Sequence, residues 1–288
     1  MTSLPAPLAF SAAFLLTVQT PGQEIPLEVP FVSTPDEVVV EMLKLAEVGE
    51  EDVVYDLGCG DGRIVITAVK EFGARGVGID KDPRRIAECR ANAAAAHVNG
   101  RASFREDDFF EADIGEATVV SIYLLQMVNL KLRPKLLREL NPGSRVVSHN
   151  YDLWSWKPDK ARNIGSHAIY CWTVPANVTG EWEGMPSDNF SAGKFVIRLR
   201  QTFQEIEGEV LDGESLLPLT EKNLVGDHLK FSFSETNGKS NAVHRFEGTI
   251  EGNSMTGYIN RPGGGGERIP FKATRDPSTI SEICLPEN

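Results

Sequence analysis

The chain has 288 residues, of which 41% are hydrophobic and 24% charged. That is an ordinary globular balance on a chain longer than one typical domain. Its net charge of -12 disfavours general nucleic-acid binding, which needs a basic surface to neutralise phosphates. The four cysteines, Cys59, Cys89, Cys171 and Cys284, form no CxxC pair and the histidines have no ligand-type spacing, so no metal is expected.

The chain opens on an apolar run from Leu8 to Val18, of signal-peptide length and short for a bilayer span. No Lys or Arg precedes it, and Val18-Gln19-Thr20 is a poor cleavage site. A leader or membrane-associating segment is expected over 1–23 on a cytosol-facing protein, with export and cleavage near 20–24 as the alternative. Thr34-Pro35-Asp36-Glu37 reads as a capping box with proline at the first helical position. It predicts a helix through about Ala46, with Val38, Val39, Met42, Leu45 and Ala46 on its apolar side.

A strand is predicted over Val53–Asp56, followed by Leu57-Gly58-Cys59-Gly60-Asp61-Gly62 and a helix from Arg63 to Phe72. Glycines at alternate positions suit a tight strand-to-helix turn with positive φ, where a ligand can approach the backbone. Asp56 just before them would repel a pyrophosphate and attract a cation. The next strand, Gly76–Asp80, ends in a second carboxylate placed to hold a ribose diol. Asp82-Pro83 caps a helix running to about Ala96, and strands follow at Ala102–Glu106, Val119–Tyr123 and Arg145–Ser148. Arg133-Pro134 opens a helix that ends before Asn141-Pro142-Gly143, and a last strand covers Ala168–Val174. Lys131, Arg133, Lys135 and Arg138 read as a solvated helix face or as a local basic patch. His149 either lines the site or is a plain loop histidine.

After Pro175 the pattern changes to period two. Phe195, Ile197 and Leu199 alternate with polar neighbours, as do Leu229, Phe231 and Phe233. Turn signals recur at Asp212-Gly213, Asn237-Gly238, Gly252-Asn253 and the glycine run 263–266, read as a hairpin tip. Roughly six to eight antiparallel strands in a meander are expected, forming a small barrel or sandwich. Trp182 is expected in its core. The fold class is therefore α/β, a Rossmann-like domain with a mostly parallel sheet at 24–176, followed by a small all-β domain of unknown role at 177–276 and a tail at 277–288.

Asp56-Leu57-Gly58-Cys59-Gly60-Asp61-Gly62 resembles motif I of class I S-adenosylmethionine (SAM) methyltransferases. Asp80 matches that family's ribose-binding acidic residue, and Phe104–Phe110 its third-strand motif. Asp108, or Asp107 beside it, would then contact the adenine amino group, and Asp56 the methionine amine, over a floor of Gly58 and Gly60. Val29–Pro35 and Asn129–Leu136 resemble the non-SET lysine methyltransferases that include the ATP-synthase c-subunit enzymes. The resemblance covers about residues 28–176. It implies Phe31 and Thr34 as pocket walls, and Tyr123, Leu124, Leu125 and Gln126 as the acceptor channel, with Tyr123 also near the cofactor. Cys59 occupies a variable position in the motif and reads as a small filler. No Asn/Asp-Pro-Pro-Tyr motif stands near Tyr123, which argues against an adenine or glutamine acceptor. The expected activity is methyl transfer from SAM to a protein lysine. The alternatives are a small-molecule O- or N-methyltransferase and a non-catalytic SAM-binding scaffold.

Overall fold

The computed structural model describes residues 31–186, 195–213, 215–237, 240–260 and 268–286. The apolar leader and the glycine run 263–266 lie outside the described residues.

The chain first builds α1 (Asp36–Leu45), β1 (Val53–Leu57), α2 (Arg63–Phe72), β2 (Arg75–Asp80), α3 (Pro83–Ala95), β3 (Ala102–Glu106), β4 (Val119–Ile122), α4 (Gln126–Glu139), β5 (Arg145–His149), β6 (Lys160–Ile164) and β7 (His167–Thr173). The strands form one seven-stranded sheet in the order β3-β2-β1-β4-β5-β7-β6. β1 to β5 are mutually parallel, and β7 enters antiparallel between β5 and β6. β1 and β4 are buried along their whole length, as strands covered on both faces must be. On one face Val38, Val39, Met42 and Leu43 of α1 pack with Ile64 and Ala68 of α2 against Val54, Val119 and Val147. Elsewhere Val65 and Val69 of α2 pack with Ile86, Cys89 and Ala93 of α3 and with Phe104.

Three local expectations are corrected. The capping box does not form: Pro35 is the N-cap of α1, no side chain caps it, and the Thr34 hydroxyl bonds His149 instead. Helix α4 starts at Gln126, not at Arg133, and carries Pro134 inside it. Burial of Val128, Leu132 and Leu136 holds that helix together across a residue that removes one backbone hydrogen bond. The basic cluster divides: Lys131 and Arg138 are exposed, as a solvated face requires, whereas Arg133 and Lys135 are buried. Lys135 bonds Glu139 at 2.6 Å and Arg133 bonds Ser155 Oγ at 2.8 Å.

The second part of the chain is β8 (Gly180–Pro186), β9 (Phe195–Thr202), β10 (Glu205–Asp212), β11 (Ser215–Pro218), β12 (Thr220–Val225), β13 (His228–Asn237), β14 (Ser240–Glu251), β15 (Ser254–Asn260) and β16 (Arg268–Arg275), then a short 3-10 turn at Pro277–Thr279. These make a nine-stranded sheet in the order β11-β10-β9-β8-β16-β15-β14-β13-β12, one strand more than the upper expectation. The shortest of them, β11, has four residues, too few to show a period. All neighbours are antiparallel. The sheet curls until Leu219, between its two end strands, donates its N–H to Gly208 O of β10 at 2.9 Å. β16 alternates strictly between exposed and buried positions, so Ile269, Phe271 and Ala273 point inward. Trp182 is fully buried there, with its indole N–H on Val178 O at 2.9 Å. Among the described residues, no helix is long and apolar enough to cross a membrane.

Candidate functional site

The C-terminal ends of β1, β2 and β4 meet at one edge of the first sheet. Gly58, Gly60 and Gly62 follow β1 with φ of 81°, 55° and 81°, values that only glycine adopts without strain. A Cβ at Gly58 would come within 2.9 Å of Leu124 Cδ2, and one at Gly60 within 2.3 Å of the Phe31 ring. The turn is therefore walled by Leu124 from β4's end and by Phe31, over whose ring the Arg85 guanidinium stands at 3.9 Å.

Asp80 closes the turn. Its Oδ2 accepts from Gly60 N–H at 3.0 Å and its Oδ1 from Asp82 N–H at 2.9 Å, leaving further lone pairs on both oxygens. Asp56 lies under this floor, only 3% exposed. The sheet register sets it opposite Ser121, whose hydroxyl donates to Asp56 Oδ1 at 2.7 Å. Burial pushes the Asp56 carboxyl up to about 7, with the Ser121 bond opposing and Asp80 and Asp61 assisting. At the end of β3, Asp108 is half-buried, accepts from Phe110 N–H at 2.9 Å and pairs with Lys81 at 2.7 Å. Asp107 is exposed. Arg63 ties α1 to the glycine turn, bonding Asp61 and the Thr34 carbonyl, the latter at 2.9 Å.

Cys59 and Cys89 are free thiols with sulfurs 3.8 Å apart. The Cys89 hydrogen bond and burial push the Cys59 thiol far up, so it stays protonated and acts as packing. No cluster of His, Cys, Asp and Glu suited to a metal exists among the described residues.

Beside the glycine turn stands an aromatic wall. The Tyr123 ring lies 4.0 Å from that of His149 and 6.5 Å from that of Tyr151. His149 is fully buried at the end of β5, its Nδ1 3.1 Å from Thr34 Oγ1 and its Nε2 2.9 Å from His167 Nδ1. Burial, with His167 adding to it, holds His149 down to about 4, so it is neutral at physiological pH. Asn129 of α4, also buried, donates to the Tyr151 carbonyl at 3.1 Å. Gln126 faces the same segment and donates to Asp152 Oδ1 at 3.0 Å.

The structure thus brings Phe31, Asp56, Gly58, Gly60, Asp80 and Leu124 around one turn, with Thr34 tied to it by Arg63, Tyr123 meeting Thr34 through His149, and Asp108 to one side. Gln126 is half-buried and committed to Asp152. Sequence reasoning missed Ser121, Arg63, Tyr151 and His167. Only Ser121 had a legible signal, as the one hydroxyl in the apolar run of β4.

The family model described as the ANTKMT methyltransferase domain matches residues 56–160. A protein-lysine N-methyltransferase of Saccharolobus islandicus is 47% identical over 51% of this chain and 94% of its own length. The mouse ATP synthase c-subunit lysine N-methyltransferase is 30% identical over 65% of this chain and 74% of its own. A solved RNA methyltransferase from Salinibacter ruber, in complex with S-adenosyl-L-homocysteine, is 52% identical with a TM-score of 0.51, covering 51% of this chain and 96% of that one. Both of these matches take in about half of this chain and nearly the whole of the matched chain.

Proposed function

We propose that this chain, since it belongs to the family of SAM-dependent methyltransferases that holds the protein-lysine N-methyltransferases, methylates the side-chain amine of a lysine in a protein substrate. The observation that carries the reading is the meeting, at one sheet edge, of the glycine turn closed by Asp80 with the Tyr123–His149–Tyr151 wall. The turn fits the cofactor on its own geometry. The missing Cβ atoms let Leu124 and Phe31 pack directly on the turn as its walls, and a carboxylate with spare lone pairs suits a diol. When bound, SAM supplies an already activated methyl group on a sulfonium.

The protein's work is then positioning and water exclusion. Asp80 holds the ribose hydroxyls, and Asp108 the adenine amino group. Asp56 acts from beneath the floor, its negative charge attracting the amino-acid end of the cofactor. Phe31 and Leu124 flank the turn. A lysine ammonium must lose its proton before it can attack, and a wall of tyrosines and a neutral histidine disfavours its charged form by desolvation. Tyr123 and Tyr151 line that channel, and His149, locked between Thr34 and His167, holds the Tyr123 ring in place. The division into a methyltransferase domain at 24–176 and an all-β domain at 177–276 belongs to the same proposal.

The test is transfer of labelled methyl from SAM into protein, RNA and small-molecule fractions, with mass spectrometry of the labelled proteins. Methyl-lysine in protein is the expected product. Label confined to RNA or to small metabolites would overturn the acceptor assignment while leaving the cofactor in place.

A further inference from the structure

One turn of the second sheet packs on the far end of the segment that carries Tyr151. Between β9 and β10 the chain reverses at Phe203, a buried residue with φ of 50°. Left-handed backbone at a bulky residue is strained and persists only where the surroundings hold it. Here Gln201 Nε2 donates to the Phe203 carbonyl at 2.7 Å, and the Phe203 ring stacks on Trp156 with centroids 5.6 Å apart and planes 1° from parallel. The Arg133 guanidinium, from α4, lies 5.7 Å from the same ring. Next to it, Gln204 donates to the Lys157 carbonyl at 2.8 Å, and Lys157 pairs with Glu205 at 2.8 Å.

Trp156 and Lys157 end the segment 150–157, which links β5 to β6 and carries Tyr151. That segment is itself strained, with φ of 61° at Asn150 and 57° at Trp154. It has little regular structure of its own, and side chains hold it from outside. Asn129 and Gln126 hold its start, Arg133 bonds Ser155 Oγ and the Leu153 carbonyl, and Trp172 donates to the Trp156 carbonyl at 2.7 Å. The Trp156 indole N–H has no hydrogen-bond partner among the described residues, so stacking on Phe203 and packing against Trp172 fix that ring.

We propose that Phe203 and Gln204 are positioning residues for methyl transfer: the second sheet, through this turn, clamps segment 150–157 and so sets the acceptor wall. The proposal rests on the acceptor channel assigned above. Cofactor binding, at the glycine turn, is outside the clamp.

The test compares the full chain with Phe203→Ala, with Gln204→Ala, which keeps the packed ring and is safe for folding, and with Phe203→Tyr as the variant that restores a ring. Hydrogen exchange of the amides in 150–157 and 56–62 is read alongside calorimetric titration with SAM, and transfer to poly-L-lysine is measured across acceptor concentrations. We expect exchange at 150–157 to accelerate about tenfold in Phe203→Ala and less in Gln204→Ala, with 56–62 and the SAM dissociation constant within about twofold of the parent. Poly-L-lysine KM should rise while kcat holds, and Phe203→Tyr should recover both readouts. Unchanged exchange at 150–157, or equal acceleration at 56–62, overturns the clamp. So does an unchanged KM in a variant whose segment has loosened. Failure of the parent chain to methylate poly-L-lysine counts against the lysine reading, and the exchange result decides the clamp without it.

Discussion

Asp80 and Asp56 are both acidic residues at strand ends, yet their surroundings give them different chemistry. Asp80 faces outward and is fixed by two backbone N–H groups, so it is a preorganised acceptor. Replacing it by alanine removes at least one charge-assisted bond to a ligand diol, about 2 kcal/mol or about 30-fold in cofactor affinity. Calorimetry on Asp80→Ala, with circular dichroism to confirm folding, checks this; unaltered affinity in a folded variant would falsify the ribose assignment. Asp56 is held up to about 7 by burial. Below that pH the free protein carries it protonated, and attraction of a cationic amine requires the proton to leave. Affinity for SAM should therefore rise with pH, by up to about tenfold per unit below 7, and flatten above it. Loss of the ligand's own amine charge near about pH 8 closes the window from the other side. A flat affinity between about pH 5.5 and 7.5 would remove Asp56 from cofactor binding, and Asp56→Asn should abolish the acid limb.

At the scale of elements, α4 shows packing overriding local preference. Pro134 sits well inside the helix on its exposed face, while its neighbours Leu132, Arg133, Lys135 and Leu136 are buried. Proline cannot donate to the carbonyl of Leu130 and crowds it. Pro134→Ala should restore that bond without disturbing the core, stabilising the protein by about 1 kcal/mol or more and raising Tm by about 2–4 °C. A lower Tm in that variant would mean that α4 depends on the bend. The same helix explains why the sequence misplaced its start. Proline favours the first helical position, which drew the start to Pro134, and the sequence alone does not announce that Val128 and Leu132 will find a core.

At the scale of the molecule, two sheets share one chain, and each carries its own core. Arg275 secures the second one, donating to Asn177 O at 2.6 Å, Thr179 O at 3.2 Å and Gly252 O at 3.0 Å, with its guanidinium 4.7 Å from the Trp182 ring. Arg275→Ala strands those carbonyls and should cost the second sheet about 3 kcal/mol or more. Scanning calorimetry should show its transition moving down while SAM affinity stays within about twofold. Parallel loss of SAM binding would show that the two cores melt as one and that the glycine turn depends on the second sheet.

Much of this was legible in the residues. The turn Gly58–Gly62, the carboxylates Asp56 and Asp80 at strand ends, and the switch from helical to two-residue periodicity after Pro175 all express preferences settled within a few residues, by φ, capping and alternation. Only the tertiary structure decided the rest. Thr34 leaves its helix cap to meet His149, 115 residues away, and Phe203 crosses from one sheet to stack on Trp156 beside the other. Arg133 and Lys135, charged on the page, are buried in the fold. Each of these choices trades a local hydrogen bond or hydration shell for burial and pairing with a distant partner. That balance exists only once the whole chain has packed.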